Sequence, residues 1–214
     1  MHVAEIWRYP VKSMAGEMLE RAYVDFTGID GDRVAHVENS RKLLITARTH
    51  PKLLGHHATL DAEGEPLVDG TLWSDPSSQN KVISIVGPGA RLVRDPTIRC
   101  FDILPLLVAT DGAISEFGHD RRRLRPNIII GGVEGLAERE WPGHLLHIGE
   151  VRIGIRDLRG RCVMTTYDPD TLQQDRDILS GIMRRFEGRL ALNCSVLWPG
   201  EIRVGDPVEL AAAR

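Results

Sequence analysis

The sequence of 214 residues predicts a mostly β protein whose strands form a barrel or a sandwich. Many short segments alternate apolar and polar residues with a period of two. Turns rich in glycine, asparagine and aspartate separate these segments at short intervals, and helical periodicity is confined to two places. Numerous short strands of this kind are typical of barrels and sandwiches.

The strands are predicted from the alternation and from the turns that bound them. In the first of them, Met18, Ala22, Val24 and Phe26 fall on one face. The predicted strands are 18–26, 33–38, 42–47, 58–60 and 66–68 (a hairpin), 82–86, 90–93, 106–109, 127–130, 145–148, 151–155, 162–166 and 190–197.

Two segments carry helical patterns instead. In 170–186, apolar residues recur at helical spacing after the N-cap candidate Asp170. The shorter segment 111–117 follows a strand directly, and Thr110 or Asp111 would cap it. Backbone N–H groups at such a junction can bind an anion.

Composition excludes several classes of protein. The chain carries 27 basic and 30 acidic residues, a net charge of −3, so nucleic-acid binding is not expected. Its apolar runs are far shorter than the roughly 20 residues that span a bilayer, so no membrane segment is expected. Three cysteines without close pairing argue against a secreted disulfide framework and favour a cytoplasmic location.

Motifs of several common sites are missing from the sequence. It contains no G-x-S-x-G elbow and no G-x-x-x-x-G-K-[ST] loop. The glycine-rich segment 131–135 leads to no sustained helix, which a dinucleotide site needs. The histidines at 56–57, and those at 144 and 147, do not fit the spacing of a zinc site.

Charged and polar side chains gather at predicted strand ends. The stretch RYPVKSMAGE, residues 8–17, begins as a strand, meets Pro10 and then presents Lys12 and Ser13. Arg33 follows a glycine-containing turn. These groups suit an anion site, although solvated strand-end charges are the alternative interpretation.

One cysteine lies among basic residues. Cys162 follows Arg161 directly, and Arg159 stands two positions earlier. Positive charge favours the thiolate, which serves as a nucleophile or as a soft metal ligand. The residues alone leave a second interpretation open, because a lone cysteine is usually a small buried apolar residue.

Six groups of motifs follow one another in an order typical of a known family. They are YPVKS at 9–13; GDR at 31–33; TAR at 46–48 with PKLL at 51–54; RPN at 125–127; RC at 161–162 with TT at 165–166 and DPDT at 168–171; and IRVGDPV at 202–208. Together they resemble the MOSC proteins, which are named after the C-terminal domain of molybdenum cofactor sulfurase. Within that family the resemblance is greatest to the mitochondrial amidoxime-reducing component and its bacterial relatives.

The resemblance covers nearly the whole chain and implies its domain organisation. We expect a MOSC N-terminal β-domain over 1–80 and a MOSC β-barrel domain with a few short helices over 81–214. The polar stretch 75–80, which shows no periodicity, is the best candidate for the boundary. The cofactor is expected between the two domains.

The resemblance also implies a molybdenum cofactor, Mo-molybdopterin, with Cys162 as the protein ligand of molybdenum and the catalytic residue. A phosphate prefers guanidinium forks and a lysine charge, which agrees with the residue types at the matching positions. The positions that match the family's cofactor contacts are Lys12, Ser13, Arg33, Thr110, Arg125, Asn127 and Arg161.

By the same resemblance, the chain is expected to reduce N-hydroxylated small molecules such as amidoximes, hydroxamic acids or N-hydroxylated bases. Three cysteines cannot hold a two-iron cluster, so electrons are expected from a separate donor protein, either ferredoxin-like or a cytochrome or flavoprotein reductase. The basic cluster 121–125 either meets an acidic donor or is a solvated loop. Two alternatives stay open: a non-catalytic cofactor carrier or storage protein, and a barrel that binds another anion.

Overall fold

A computed structural model describes residues 1–95 and 100–212. The strands in these ranges are β1 (His2–Arg8), β2 (Glu17–Leu19), β3 (Arg21–Asp25), β4 (Gly28–Ile29), β5 (Ala35–Glu38), β6 (Leu44–Ile45), β7 (Ala58–Leu60), β8 (Pro66–Val68), β9 (Thr71–Leu72), β10 (Arg91–Arg94), β11 (Leu106–Thr110), β12 (Ile128–Gly131), β13 (His144–Ile148), β14 (Val151–Gly160), β15 (Arg189–Trp198), β16 (Gly200–Arg203) and β17 (Val208–Ala212). The α-helices are α1 (Pro76–Val86), α2 (Asp111–Phe117) and α3 (Arg176–Phe186), and 3-10 helices occupy Pro51–Gly55, Arg121–Arg123, Ala137–Glu140 and Val163–Thr166. The mostly β fold is confirmed.

Eight strands form one large sheet in the order β17-β13-β14-β15-β11-β12-β1-β2. Neighbouring strands are antiparallel except β11 and β12, which run parallel and are connected through α2. Alternation turns every second side chain of these strands towards one core. Its fully buried members include Ile6, Ile130, Leu146 and Ile153.

A smaller unit has a core of its own. The sheets β10-β5-β6 and β7-β8-β9 pack with α1 around buried residues that include Val11, Met14, Val37 and Val82. The predicted hairpin is confirmed as β7 and β8. Among the helices that the described ranges contain, none is long and apolar enough to cross a membrane.

The strand predicted at 82–86 is wrong, because the helix α1 covers this segment. The same helix begins within the polar stretch 75–80. Asp75 caps this helix by accepting a hydrogen bond from the Ser77 backbone N–H at 2.7 Å. Pro76 takes the first helical position, where its missing N–H costs no hydrogen bond. The polar composition that suggested a linker is therefore a capped helix start.

The expected domain boundary also meets this helix. The division between residues 80 and 81 lies inside α1, whose Ser78 and Val82 are buried one turn apart. Pairing of β10 with β5 continues the small unit to Arg94, and β1 lies within the large sheet. We propose that the small unit ends after β10 and that the large sheet recruits strands from both ends of the chain.

The first predicted strand is divided between two sheets. β2 pairs with β1, whereas β3 pairs with β16, so the chain changes partner at Glu20. Ala22 and Val24 are buried as an alternating strand requires. Met18 and Phe26, 57% and 65% exposed, lie outside that core, so the single face expected for these four residues is wrong.

The strand predicted at 162–166 is also wrong. A 3-10 helix, Val163–Thr166, stands there after the extended residue Cys162. The Thr165 hydroxyl donates to the Cys162 carbonyl at 2.8 Å, and the Thr166 hydroxyl donates to the Val163 carbonyl at 2.7 Å. These local bonds replace the strand ladder that β-branched residues favour.

The two predicted helices are confirmed with one change of start. α2 has the predicted bounds, and the Thr110 side chain accepts a hydrogen bond from the Ala113 N–H. α3 begins at Arg176 under an Asp175 cap. The earlier start is wrong because the chain after Asp168 turns around that carboxylate, which accepts from two following backbone N–H groups.

The YPVKS segment joins the two units. β1 belongs to the large sheet, and beyond Pro10 the chain enters the small unit, where the Lys12 backbone N–H donates to the Ala35 carbonyl at 2.9 Å. Met14 is fully buried in the small core. Lys12 and Ser13 therefore stand at the junction of the two units.

Two helical glycines provide a matched test of this packing. A Cβ at Gly112 in α2 would lie 2.4 Å from the Val133 carbonyl oxygen and 2.5 Å from that of Gly135, and backbone atoms cannot turn aside. Gly112→Ala should therefore lower the free energy of unfolding by roughly 1–3 kcal/mol. Gly181→Ala in α3, where a Cβ meets open space, should raise it by about 0.5–1 kcal/mol. Urea denaturation of both variants checks this, and changes of the same sign would contradict it.

Candidate functional site

A cleft opens between the large sheet and the small unit. Among the described residues that line it, Asp102 is the one carboxylate and Cys162 the one thiol. The cleft therefore carries a large excess of positive charge, which suits a multiply charged anion. Its cationic side chains are Lys12, Arg33, Arg48, Arg123, Arg125, Arg159 and Arg161.

Asp102 is the central counter-charge of the cleft. Its carboxylate accepts hydrogen bonds from Lys12 Nζ at 2.7 Å, from Arg48 at 2.9 Å and from Arg159 at 2.8 Å. Burial alone would raise the pKa of this carboxyl, but the three cations outweigh burial and lower the pKa to about 2. One carboxylate thus gathers cations from three distant parts of the chain.

Lys12 and Ser13 are almost fully buried at the junction of the two units. Lys12 Nζ also donates to the Cys100 carbonyl at 2.6 Å, and burial lowers the pKa of Lys12 although Asp102 opposes the shift. Ser13 has a left-handed backbone, φ 72°, and its Oγ accepts from the Ala47 N–H at 3.0 Å. Ser13 therefore fixes the turn that directs the lysine into the cleft.

Tyr9 lies between two of the cleft arginines. The Arg125 guanidinium is 4.3 Å and the Arg33 guanidinium 5.4 Å from the centre of its ring, within range of cation–π attraction. Burial raises the pKa of Tyr9 to about 12, so the ring stays neutral while its hydroxyl donates to the Pro126 carbonyl. Arg33 and Arg125 both have left-handed backbones, φ 52° and 57°, and Asp32 forms an ion pair with Arg33.

Asn127 is fully buried behind the cleft and is not among the residues that line it. Its Oδ1 accepts from the Leu107 backbone N–H at 3.1 Å and from Arg33 at 3.4 Å, and its Nδ2 donates to the Trp7 carbonyl at 3.3 Å. The side chain thus ties β1 to β11 and orients Arg33. Its position favours support of the cleft over direct contact with a ligand.

Cys162 lies where β14 gives way to the 3-10 helix, half-buried at the wall of the cleft. Its interaction with Arg48, which lines the same wall, raises the pKa of that arginine above its ordinary value. Arg161 donates to the Leu124 carbonyl at 2.7 Å, while its buried Nε has no partner among the described residues. Burial lowers the pKa of Arg161 to about 10, so it remains cationic near neutral pH.

Thr110 lies away from the cleft, unlike the predicted positions that line it. Its hydroxyl donates to the buried carboxylate of Glu138 at 2.9 Å and caps α2. The adjacent backbone N–H groups of Gly112, Gly132 and Val133 donate to the Asp111 carboxylate. The backbone N–H groups of this strand-to-helix junction, which suggested an anion site, therefore bind the Asp111 carboxylate of the chain itself.

Four charged residues of the cleft are not among the predicted cofactor contacts: Arg48, Asp102, Arg123 and Arg159. Arg48 stands in the TAR motif, Arg123 in the basic cluster 121–125 and Arg159 near Cys162, but the sequence does not show that these side chains meet. Asp102 had no distinguishing local pattern, since a single charge beside a strand is usually solvated. Only the fold brings Asp102 to Lys12, 90 residues away.

The rest of the basic cluster is paired with carboxylates. Arg121 contacts Glu5 at 2.7 Å, and Arg122 contacts Asp120 and Asp170, each at 2.7 Å. This pairing favours a solvated loop over an uncompensated docking surface.

Together, fold and cleft define a class of β protein in which two units enclose a cationic cleft with one thiol. The family model of the MOSC domain matches residues 111–209, and that of the MOSC N-terminal beta barrel domain matches residues 1–80. The chain belongs to the MOSC domain family, as its motifs predicted.

Named relatives match most of the chain at low identity. Human mitochondrial amidoxime-reducing component 1 is 25% identical, covering 97% of this chain and 82% of the relative. The mouse protein of the same name is 26% identical over the same shares. Among solved structures, the YUAD protein from Bacillus subtilis superposes with a TM-score of 0.55 at 14% identity, covering 100% of this chain and 96% of that one. That likeness supports the fold alone.

The Asp102 ion pairs predict a dependence of stability on pH. Because the native pKa is depressed to about 2, the stabilisation is complete above the ordinary aspartate pKa of about 4 and is lost as the pH falls towards 2. Asp102→Asn should lower the free energy of unfolding at pH 7 by about 2 kcal/mol. This deficit should shrink as the pH falls from 4 to 2.

Urea denaturation over this pH range measures the difference between wild type and variant. Asp30→Asn, which removes the same charge from an exposed side chain, is the matched control and should leave stability nearly unchanged. A deficit that stays constant from pH 7 to pH 2 would contradict the assignment to Asp102.

Proposed function

We propose that this chain is a molybdenum cofactor-dependent reductase of N-hydroxylated compounds. Its family and its amidoxime-reducing relatives support a role connected with this cofactor. The observation that carries the proposal is the cleft, where seven cationic side chains surround one carboxylate and one thiol.

The residues present fit such a group. A pterin phosphate needs several fixed donors, and the cleft offers guanidinium groups whose hydrogen bonds are incompletely used. The buried Nε atoms of Arg123 and Arg161 have no partner in the described ranges. Cys162 adds a soft sulfur ligand at the same wall, which the Arg48 guanidinium also lines.

Residues can be assigned roles in this proposal. Cys162 would bind molybdenum, and Lys12, Ser13, Arg33, Arg125 and Arg161 would hold the pterin and its phosphate. Asn127 would act through Arg33, which it orients. We leave Thr110 out of the set, because it is buried against Glu138.

The proposed reaction is balanced by two electrons and two protons. An amidoxime would lose its N–O bond, giving an amidine and water. When bound, the cofactor supplies two-electron oxygen-atom transfer chemistry. The chain itself would hold the cofactor in a fixed orientation, compensate its charge and restrict water at Cys162. The described part of the cleft offers no carboxyl poised as an acid, since the pKa of Asp102 is about 2.

The proposal includes a separate electron donor, ferredoxin-like or a cytochrome or flavoprotein reductase. The second candidate function is a carrier or storage protein that binds the cofactor without turnover, and the same cleft supports it. Two measurements test these functions, and the second of them separates the reductase from the carrier. Stoichiometric molybdenum in protein purified from a molybdate-replete host is expected under both, and its absence would overturn both. Amidine formation with an artificial reductant is expected of the reductase alone.

Cys162→Ser tests the metal ligand. We expect loss of most molybdenum and of all measurable reduction, because a serine hydroxyl is a poor substitute for a soft thiolate. Cys100→Ala, which alters a thiol outside the lining of the cleft, is the control and should keep both properties. Elemental analysis and a parallel activity assay measure the two properties. Retention of metal and activity by Cys162→Ser would refute the assignment of Cys162 as the metal ligand.

Lys12→Ala tests the anion site. The variant should fold normally and retain less cofactor, by roughly tenfold, because one charge-assisted contact to phosphate is lost. Lys81→Ala removes another ion-paired lysine, bound to Asp69 outside the cleft, and should retain cofactor fully. Molybdenum content and circular dichroism are measured on the same preparations. An equal molybdenum content in both variants would show that Lys12 has a structural role only.

A further inference from the structure

A second cavity adjoins the cationic cleft. Its wall is mostly apolar and aromatic, in contrast to the charged wall of the cleft. Residues from β1, from the 3-10 helix Pro51–Gly55 and from the turn after Thr166 meet there. The main contributors to this wall are Trp7, Tyr9, Ala15, Leu54, Met164 and Tyr167.

The two spaces share part of their walls. Arg123, Arg125 and Met164 line both of them, and Met164 follows Cys162 by two residues. Tyr9, which lines the aromatic cavity, has its ring 4.3 Å from the Arg125 guanidinium. The shared wall therefore places the aromatic cavity next to the part of the cleft that holds Cys162.

The polar groups around the aromatic cavity are largely engaged. Arg122 is held by two carboxylates, and Arg123 by Asp168 at 2.8 Å. The Trp7 ring N–H donates to Glu5 at 2.7 Å, and the Tyr9 hydroxyl donates to a backbone carbonyl. Of the three arginines in the lining, Arg125 has no carboxylate partner among the described residues, and its guanidinium lies over the Tyr9 ring. The rest of the wall offers apolar and aromatic surfaces suited to a flat, uncharged ring.

We propose that this cavity binds the aromatic body of the substrate, so that the enzyme prefers aromatic over small aliphatic N-hydroxylated compounds. The inference rests on the proposed function and deepens it.

Two amidoximes that differ only in their body test the preference. With molybdenum-loaded protein and an artificial reductant, the KM for benzamidoxime should be lower than that for acetamidoxime by roughly tenfold, with similar kcat. Ala15→Leu narrows the cavity and Tyr167→Ala removes a ring face. Both variants should raise the KM for benzamidoxime towards the acetamidoxime value and leave the acetamidoxime KM unchanged. Tyr23→Ala, an exposed tyrosine on β3, is the matched control and should change neither KM.

A second readout does not depend on turnover. Titration calorimetry of the loaded protein should detect binding of benzamide and none of acetamide at the same concentrations, with the benzamide signal lost in Ala15→Leu. Benzamide binding of this kind without reduction of either amidoxime would support the cavity and refute the reductase. Reduction of both amidoximes with equal KM would refute the proposal that the cavity binds the aromatic body, and it would leave the reductase proposal intact.

The cofactor's own pterin ring is the competing occupant. If Ala15→Leu or Tyr167→Ala lost pterin and molybdenum while remaining folded by circular dichroism, the cavity would belong to the cofactor and the proposal would be wrong. Full molybdenum content in both variants, together with the KM change, supports the substrate.

Discussion

The ion pairs of Asp102 are the constraint on which the cleft depends. Seven cations around one partly desolvated space repel each other, and that repulsion grows as water is excluded. A single carboxylate offsets three of these charges, from Lys12, Arg48 and Arg159. Arg33 and Arg123 pair with carboxylates outside the lining of the cleft, Asp32 and Asp168. Arg125 and Arg161 form no ion pair among the described residues, so the same arrangement stabilises an open cleft and keeps its affinity for anions.

Backbone conformation explains how such distant side chains converge. Ser13, Arg33 and Arg125 all have positive φ angles, which cost non-glycine residues free energy and therefore need support from their surroundings. The support is visible in each case: Ser13 bonds to Ala47, Arg33 to Asp32 and Asn127, and Arg125 stacks on Tyr9. Strain of this kind at three cleft positions is typical of a functional site.

The sequence predicts the fold better than it predicts the site. Strand alternation is a local signal, so the hairpin 58–60 and 66–68 and the start of α2 follow from neighbouring residues. α1 was misread because its Asp75 cap and Pro76 resemble a linker until the buried face is known. Asp102 could not be found, because its role exists only through residues 54 to 90 positions away. Thr110 was assigned to the cofactor from its junction, but Glu138, 28 residues later, takes its hydroxyl.

The placement of β1 has a consequence for the order in which the chain can fold. The small unit is complete once β10 has been synthesised, because its strands and α1 all precede residue 95. β1 must wait, since its partner β12 and the Asn127 side chain that bonds to Trp7 arrive 120 residues later. Until then its apolar face and one edge lie open on the nascent chain, and an unpaired strand with an apolar face is prone to aggregation during synthesis.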